Sequence, residues 1–523
     1  MEGTVTPNAD VPTSSRIARH IAMIAVCMVM FLTFMDMTIV SVAIGSVQSH
    51  LHAGVSQLQW VVNGYGLTFA SFMLLGGTLG DRLGRKKIML GGLLLFAAGS
   101  LLGALAPNPD VLIGGRVIMG IGAAASEPGS LSIIRHMFPD RRVRARAIGT
   151  WAAVSGLALA FGPVIGGVLV ALASWRGVFW FNVAAALLIV VLAVRTVPES
   201  SSPQTARLDI PGFIAGTMGL GALTFAVILG ETDGFHSPLV IGLFLIGVVA
   251  LIGFVHIERA STSPLLDLAY FKSSRFTGAM IVAFILYFSI FSIFFFTALY
   301  LTAVIGYAPA RIALEFLPMT AAMVVAAVFA GRRVARLGPR VPMAEGCVMA
   351  GAGVLLSALL LLASPPSLWL MATLALAGYG FGATVVPMTS VALSEVPAER
   401  SGMAASATNT SRELGAVFGV AVLGALVNAH LTGDLTHRLK VLKIPTNFIS
   451  IIINAVETGT VPSGVNNGGS IEDHVIRAAD GAFRSGLEQS LVVSGLGMLI
   501  AAGIAVRTLS PSNESSETTA FDL

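Results

Sequence analysis

Three ionisable residues of the N-terminal half lie inside long apolar runs: Asp36, Arg116 and Glu127. Ionisable groups at membrane depth are costly and usually functional. At 1.5 Å of rise per residue, Asp36 lies roughly 12 Å and Arg116 roughly 9 Å from the outer end of its helix, so the two can meet across a cavity. A paired carboxylate and guanidinium cost less than either alone. Two interpretations stay open for Asp36: a structural ion pair, or a carboxylate that binds protons or a cationic substrate.

Glu127 follows Arg116 on the same apolar run. Three helical turns separate them, and the two positions differ by only about 20° around the helix. Arg116, Gly120, Ala123 and Glu127 therefore form one ridge, with small residues in its middle. Pro128 comes next and should bend the helix there. A structural role and a role in proton transfer are both open for Glu127.

Polar residues also enter a late apolar run, where Asn409, Arg412 and Glu413 follow one another closely. Asn409 and Glu413 share a helix face at i,i+4 spacing. Glu413 is a candidate second proton or cation site, or else the partner of a neighbouring cation. Asn63, in the second apolar run, and Asn409 are candidate substrate contacts.

Four phenylalanines recur at i, i+4, i+7 and i+11 in one span: Phe284, Phe288, Phe291 and Phe295. A stripe at this spacing is typical of packing or of a lipid-facing surface. The alternative is an aromatic wall for an apolar or cationic compound.

The stretch GLALAFGPVIGG, 156–167, lies in the middle of another span. Its glycines allow a neighbouring backbone to approach closely, and its proline removes a helix hydrogen bond. The pattern predicts a kinked, tightly packed helix that acts as a seal or a pivot. The residues concerned are Gly156, Gly162, Pro163, Gly166 and Gly167.

The elements that hold these residues are membrane helices. The chain of 523 residues is 55% hydrophobic and only 11% charged, with a mean hydropathy of +0.85. Apolar segments of about twenty residues predict membrane spans, and we place fourteen. They are 21–44, 57–79, 88–107, 110–134, 146–172, 177–197, 209–230, 238–257, 275–303, 311–330, 341–363, 367–394, 402–428 and 487–508.

An even number of spans places both ends on one side of the membrane. Most Lys and Arg residues fall on the N-terminal side, so the positive-inside rule predicts that both termini are cytoplasmic. The one long outer segment, 429–486, is polar and carries SGVNNGGS. We expect a partly ordered extracellular loop whose amphipathic end leads helically into the last span. It serves either as a connector or in binding.

The chain contains an internal repeat. GTLGDRLGRK (77–86) is echoed by GRRVARLGPR (331–340), and glycines 149, 162 and 166 are echoed by glycines 402, 415 and 419. Such duplications are typical of secondary transporters. We predict an all-α fold of two six-helix bundles with two inserted spans. The predicted regions are a tail at 1–20, the first bundle at 21–200, the inserted spans at 201–260, the second bundle at 261–508 and a tail at 509–523.

Several chemistries have no matching motif. The dipeptide Gly-Lys never occurs, so the chain has no P-loop, and it has neither H-E-x-x-H nor C-x-x-C. We therefore expect neither an enzyme nor a metal site, and we read Cys27 and Cys347 as core residues. The basic residues are spread over many short loops, which argues against a nucleic-acid partner.

Together these features resemble the fourteen-span drug:proton antiporters of the major facilitator superfamily, along essentially the whole chain. The motifs that carry the resemblance are GTLGDRLGRK (77–86), GPVIGG (162–167) with Gly156 ahead of it, MDMTIVSVAI (35–44), SGMAASATNTSRELGAVFGVAVLG (401–424), and Arg116 with Gly120 and Gly122. The first is similar to the superfamily's loop signature. The second is similar to the antiporter signature, which argues for exchange rather than uptake.

The resemblance implies alternating access, with protons as the coupling ion and no other cofactor. It implies multidrug efflux of amphipathic, cationic compounds, and so antibiotic resistance, by a monomer in the bacterial inner membrane. A dedicated exporter of one antibiotic, siderophore or lipid is the alternative. The proton-coupling candidates are Asp36, Arg116, Glu127 and Glu413; the substrate candidates are Asp36, Asn63, Phe284, Phe288, Phe291, Phe295 and Asn409.

The loop after the second span is the candidate latch between the halves. Its basic residues anchor it inside, but anchoring does not need Asp81. The resemblance implies that Asp81 docks near Ser401 and Gly402, where a helix N-terminus favours negative charge. The latch residues are Gly77, Asp81, Arg82, Gly84 and Arg85.

The sequence departs from the family pattern at a few positions. Ser41 and Gly45 stand where Asn and Pro are common, and Met119 stands where Gln is usual. Glu413 stands where Gln is more frequent, and this added acid indicates a different proton or cation count.

Overall fold

A computed structural model describes most of the chain. The described residues are 16–138, 140–200, 209–261, 264, 266–362, 367–397, 401–442, 444, 448–449, 452 and 470–509. Within these ranges the regular structure is helical. The helices are α1 Arg16–Leu51, α2 Val55–Leu83, α3 Arg85–Ala104, α4 Pro109–Ser126, α5 Gly129–Met137, α6 Arg141–Ala173, α7 Arg176–Thr196, α8 Ile210–Asp233, α9 Pro238–Ala260, a 3-10 turn Leu268–Lys272, α10 Ser274–Ala303, α11 Pro309–Leu337, α12 Arg340–Leu362, α13 Ser367–Ser394, α14 Ser401–Val441 and α15 Ser470–Thr508.

The predicted all-α membrane fold is confirmed. In the described part of the chain, 11 helices are long and apolar enough to cross a membrane. Helices α2, α4 with α5, and α6 occupy three further predicted spans. The total of fourteen spans stays a prediction.

Several helix ends follow from local sequence. Asn108 precedes α4, and its side chain accepts a hydrogen bond from the Val111 amide at 3.0 Å. Pro109 follows at the first helical position, where its missing N–H costs nothing. The same helix ends at Ser126, and α5 begins at Gly129. This break is the bend predicted at Pro128.

The prediction for the outer segment 429–486 was wrong at its start. Helix α14 continues to Val441, and at 1.5 Å per residue its 41 residues measure about 60 Å, twice the roughly 30 Å of a bilayer core. Its apolar face does not end at residue 428, because Leu431, Leu435 and Leu439 are also buried. The predicted helical lead into the last span is confirmed by α15, which begins at Ser470.

The two halves pack around α1 and α10. Residues 32–45 of α1 and 289–301 of α10 are all buried, as befits the equivalent first helices of two repeats. In the first half α1 packs on α6 and α7, and α4 packs on α2 and α3; in the second, α13 packs on α11 and α12. The halves meet along α1–α10, α2–α14 and α6–α11, while α8 lies against both α2 and α14 and carries α9.

Candidate functional site

The structure brings Asp36 and Arg116 together, as the helical rise predicted. Arg116 Nη1 donates to Asp36 Oδ2 in an ion pair, and Asn182 Nδ2 donates to Asp36 Oδ1 at 2.5 Å. The side chains of Asp36 and Arg116 are 0% and 1% exposed. The three residues come from α1, α4 and α7, so the whole cluster lies within the first half. We call it the intra-half cluster.

Further contacts fix the guanidinium of Arg116. Its Nε donates to the Val61 carbonyl at 2.8 Å, and its Cζ lies 4.5 Å from the centre of the Tyr65 ring. The Tyr65 hydroxyl in turn donates to the Thr33 carbonyl at 2.9 Å. Sequence reasoning missed Asn182 and Tyr65. Asn182 had a signal, because it is the lone amide in the apolar run of α7.

A second buried network joins the halves, and we call it the inter-half cluster. Asn409 Nδ2 of α14 donates to Glu127 Oε1, at the end of α4, at 3.1 Å. Arg412 Nη1 donates to Asn409 Oδ1 at 3.2 Å. Another nitrogen of Arg412 donates to Thr389 of α13. The guanidinium Cζ of Arg412 lies 5.4 Å from the centre of the Tyr287 ring.

Glu413 completes the inter-half cluster. Its side chain is 0% exposed, and neither carboxylate oxygen has a hydrogen-bond partner among the described residues. It faces the first half, since a Cβ added at Gly66 of α2 would lie 4.0 Å from Glu413 Oε2. The predicted shared face of Asn409 and Glu413 therefore borders the first half.

Between the halves lies a small cavity of about 10 Å³, close to the least volume that holds one water. Its lining residues are Met37, Val62, Asn63, Tyr65, Gly66 and Arg116 of the first half and Phe291, Ala416 and Val417 of the second. The structure thus brings Asn63 and Phe291, both candidate substrate contacts, to Arg116. Asp36 is not part of the lining.

The other three phenylalanines of the stripe do not line this cavity. Phe284 lies 6.2 Å from Phe418, ring centre to ring centre, and Phe295 packs edge-on against Phe296 at 4.8 Å. The backbone of Phe288 lies against Gly419 of α14. Helix packing accounts for these three contacts.

The candidate latch loop is fastened within the first half. Gly84 has φ +112°, which only glycine adopts readily, and it ends α2 directly before α3. The Arg85 amide donates to the Ser200 carbonyl at 2.9 Å. Gly77 lies beside Pro128, while Arg82 is exposed. The side chains of Asp81 and Ser401 and the surroundings of Gly402 lie outside the described part of the structure, so the docking of Asp81 stays a prediction.

Glu199 is a residue that sequence reasoning missed in this loop. Its carboxylate accepts from the Lys86 amide at 3.0 Å and from the Lys87 amide at 3.3 Å. It therefore caps the N-terminus of α3, where a negative charge is favourable. No local pattern relates it to a loop more than a hundred residues earlier.

The Gly and Pro stretch of α6 packs against α1 of its own half and against α11 of the other half. A Cβ at Gly162 would lie 2.9 Å from the Ile39 amide nitrogen, and one at Gly166 would lie 2.6 Å from the Ile39 carbonyl oxygen, both on α1. Gly167 faces Ala313 of α11, across the boundary between the halves. Helix α6 runs unbroken through Pro163. The surroundings of Gly156 lie outside the described residues, and the pivot role stays a prediction.

A metal ion is bound by several donor side chains that lie close together. Among the residues that the structure describes, no group of three or more His, Cys, Asp or Glu side chains lies together in a way that could hold a metal ion.

Known proteins resemble this chain in sequence and in structure. Residues 26–420 match the Major Facilitator Superfamily. The chain is 34% identical over 420 residues to the multidrug resistance protein Stp of Mycobacterium tuberculosis, covering 80% of this chain and 78% of that protein. It is 36% identical to the methylenomycin A resistance protein of Bacillus subtilis, covering 78% and 88%.

A solved structure shares the fold. A bacterial homolog of the human lysosomal transporter Spinster, in an inward-facing and unoccupied conformation, aligns with a TM-score of 0.64 at 17% identity. The alignment covers 95% of this chain and 100% of that one.

Proposed function

The chain belongs to the Major Facilitator Superfamily, and we propose that it exports amphipathic, cationic drug-like compounds from the cytoplasm in exchange for protons. It is a multi-pass membrane transporter of the drug-efflux kind and not an enzyme. Its place is the bacterial inner membrane, with both termini cytoplasmic and one chain sufficient for transport.

One observation supports proton exchange: the two buried clusters differ in net charge. Asp36 and Arg116 cancel within the intra-half cluster. In the inter-half cluster, Glu127 and Glu413 together with Arg412 leave one negative charge when both acids are ionised. A buried charge must be paired or neutralised. Either one proton or one cationic compound meets that need.

Exchange follows from this competition. A cation arriving from the cytoplasm displaces a proton from the pair Glu127 and Glu413, and a proton arriving from outside later displaces the cation. The two ligands bind in turn as the halves rock between inward and outward access. The ion pair of Asp36 and Arg116 stabilises the first half, which therefore moves as a rigid unit relative to the second half.

The experiment is uptake of a fluorescent cation, ethidium, into inside-out vesicles with an acidic lumen. We expect accumulation that collapses with the proton gradient and that fails in Glu413→Gln and in Asp36→Asn. A vesicle without the protein is the control for passive entry. Accumulation that survives collapse of the gradient would contradict proton exchange, and full activity of Asp36→Asn would contradict the structural task of the Asp36–Arg116 ion pair.

A dedicated exporter of one compound is the second candidate. The names of some relatives favour it, since they refer to single antibiotics, such as the tetracenomycin C resistance and export protein of Streptomyces glaucescens. Proton release from energised vesicles, measured across a panel of unrelated compounds, separates the two. A response to several classes favours broad efflux, and a response to one favours the dedicated exporter.

A further inference from the structure

Two buried polar side chains face the cavity between the halves with hydrogen-bonding capacity to spare. Asn63 is 0% exposed, and neither its Nδ2 nor its Oδ1 has a hydrogen-bond partner among the described residues. Arg116 is 1% exposed, and its Nη2 likewise has none, although its other nitrogens are engaged. Both residues line the same cavity.

The chemistry of these groups selects a type of ligand atom. Arg116 Nη2 can only donate, while the Asn63 amide carries one donor group, Nδ2, and one acceptor, Oδ1. With Nδ2 turned toward the same space as Arg116 Nη2, the two donors fit one acceptor oxygen. Because Asp36 already neutralises the guanidinium, that oxygen need not carry a charge.

Asp36 is poorly placed to receive the cationic end of a substrate. Its Oδ2 binds Arg116 and its Oδ1 binds Asn182, so a substrate ammonium would have to displace one of them. Glu413 lies close to Gly66, which lines the cavity, and both its oxygens lack a described partner. The cavity therefore has hydrogen-bond donors on the side of Asn63 and Arg116, and the carboxylate of Glu413 lies close to its other side.

We propose that Asn63 and Arg116 form a recognition site for a hydrogen-bond acceptor, a carbonyl or ester oxygen, on the transported compound. This inference rests on the proposed function and names the substrate class: amphipathic cations that also carry a carbonyl. The apolar body of the compound lies against Phe291 and Val417 of the second half, and its cationic end faces Glu413. The cavity widens to admit it when the halves separate.

The test compares two dyes that share one cationic xanthylium core. Tetramethylrhodamine methyl ester carries an ester carbonyl, and pyronin Y lacks the phenyl ester. In inside-out vesicles, Asn63→Leu removes one proposed hydrogen bond from the protein to the ester oxygen. It should raise the KM for the ester dye about tenfold, which corresponds to the loss of one such bond. The KM for pyronin Y should stay unchanged. Ser71→Ala, on the same helix but outside the cavity lining, removes a hydroxyl that has no hydrogen-bond partner among the described residues and should change neither.

A second variant separates the loss of the donor from the loss of volume. Asn63→Ala removes the amide donor as Asn63→Leu does but also reduces the side-chain volume, so a similar selective loss of ester-dye transport in both variants assigns the effect to the donor. Equal loss of both dyes in these variants, or no loss of either, overturns the recognition site. Absence of gradient-driven transport of both dyes in the wild-type protein instead overturns the proposed function.

Discussion

The intra-half and inter-half clusters are both buried, charged and held by hydrogen bonds, yet they differ in what joins their members. Asp36, Arg116 and Asn182 lie on three helices of one bundle. Glu127 and Asn409 lie on opposite bundles. Relative motion of two rigid halves leaves the first cluster intact and must break the second.

The difference assigns separate physical tasks. A neutral cluster inside one half stabilises that half in every conformation. A cluster with an uncompensated negative charge at the boundary is stable only when a proton or a cation neutralises it. Neutralisation of the charge by a proton or a cation can therefore bias the equilibrium between conformations at the inter-half cluster, because there the environment of the charge changes.

Asp36→Asn should be the most destabilising change, because it leaves Arg116 buried without a counter-charge. Breaking a buried pair in this way costs about 3–5 kcal/mol. Thermal unfolding in detergent should show the loss. The double variant Asp36→Leu, Arg116→Met should recover much of the stability. A single variant as stable as the wild type would contradict the structural task of this cluster.

Gly167→Val should shift the conformational equilibrium by roughly tenfold to a hundredfold, since overpacking a tight contact costs about 1–3 kcal/mol. The added side chain meets Ala313 across the boundary, so the outward-open state should gain. The matched control is Gly162→Ala, which crowds α1 within one half and should lower the melting temperature without moving the equilibrium. The readout is the distance between spin labels at Leu105 and Ile305, both exposed.

Asn409→Ala should shift the same equilibrium by a factor of about 2–12, the equivalent of one hydrogen bond of roughly 0.5–1.5 kcal/mol. Spin labels at Lys87 and Arg336, both exposed, report it on the inner side. Thr389→Ala removes a hydrogen bond within the second half and should leave the distance distribution unchanged. Equal shifts in the two variants would mean that Asn409 does not act between the halves.

Both labelling experiments need a background without native thiols. The free cysteines Cys27 and Cys347 are replaced by serine, and transport by this background is checked before labels are introduced.

Glu199→Gln should have the smallest effect, about 0.3–1 kcal/mol, because it weakens the charge at one helix N-terminus within the first half. The melting temperature should fall slightly while the inner-side distance stays the same. Asp81→Asn is the counterpart: the latch hypothesis predicts a changed outward-facing population in a cysteine-accessibility assay. An unchanged population in Asp81→Asn would refute the latch.

Features that follow from helical periodicity and from the length of apolar runs could be predicted from the sequence. Helical rise alone placed Asp36 and Arg116 at a similar depth, and Pro128 predicted the break between α4 and α5. Apolar runs predicted the membrane helices. They did not predict the extent of α14, because its outer third is polar in composition and helical through burial of one leucine face.

Contacts between distant segments could not be read from local patterns. Asn182 reaches Asp36 across 146 positions, and Glu199 reaches Lys86 across 113. The phenylalanine stripe shows the same limit: its spacing shows that the side chains share a face, but which one meets the cavity depends on how closely α14 packs. Gly415 and Gly419 let that helix rest on the backbone of Phe284 and Phe288, and Phe291 is left at the cavity.

Competition between a proton and a cationic compound for the inter-half cluster should be visible as proton release when substrate binds. Tetramethylrhodamine methyl ester is added to the purified protein in weakly buffered detergent solution near neutral pH, and the released protons are measured with a pH indicator. We expect release by the wild-type protein and by Asn409→Ala, and none by Glu413→Gln at saturating dye. Undiminished release by Glu413→Gln would contradict the claim that a proton and a cationic compound compete for the inter-half cluster.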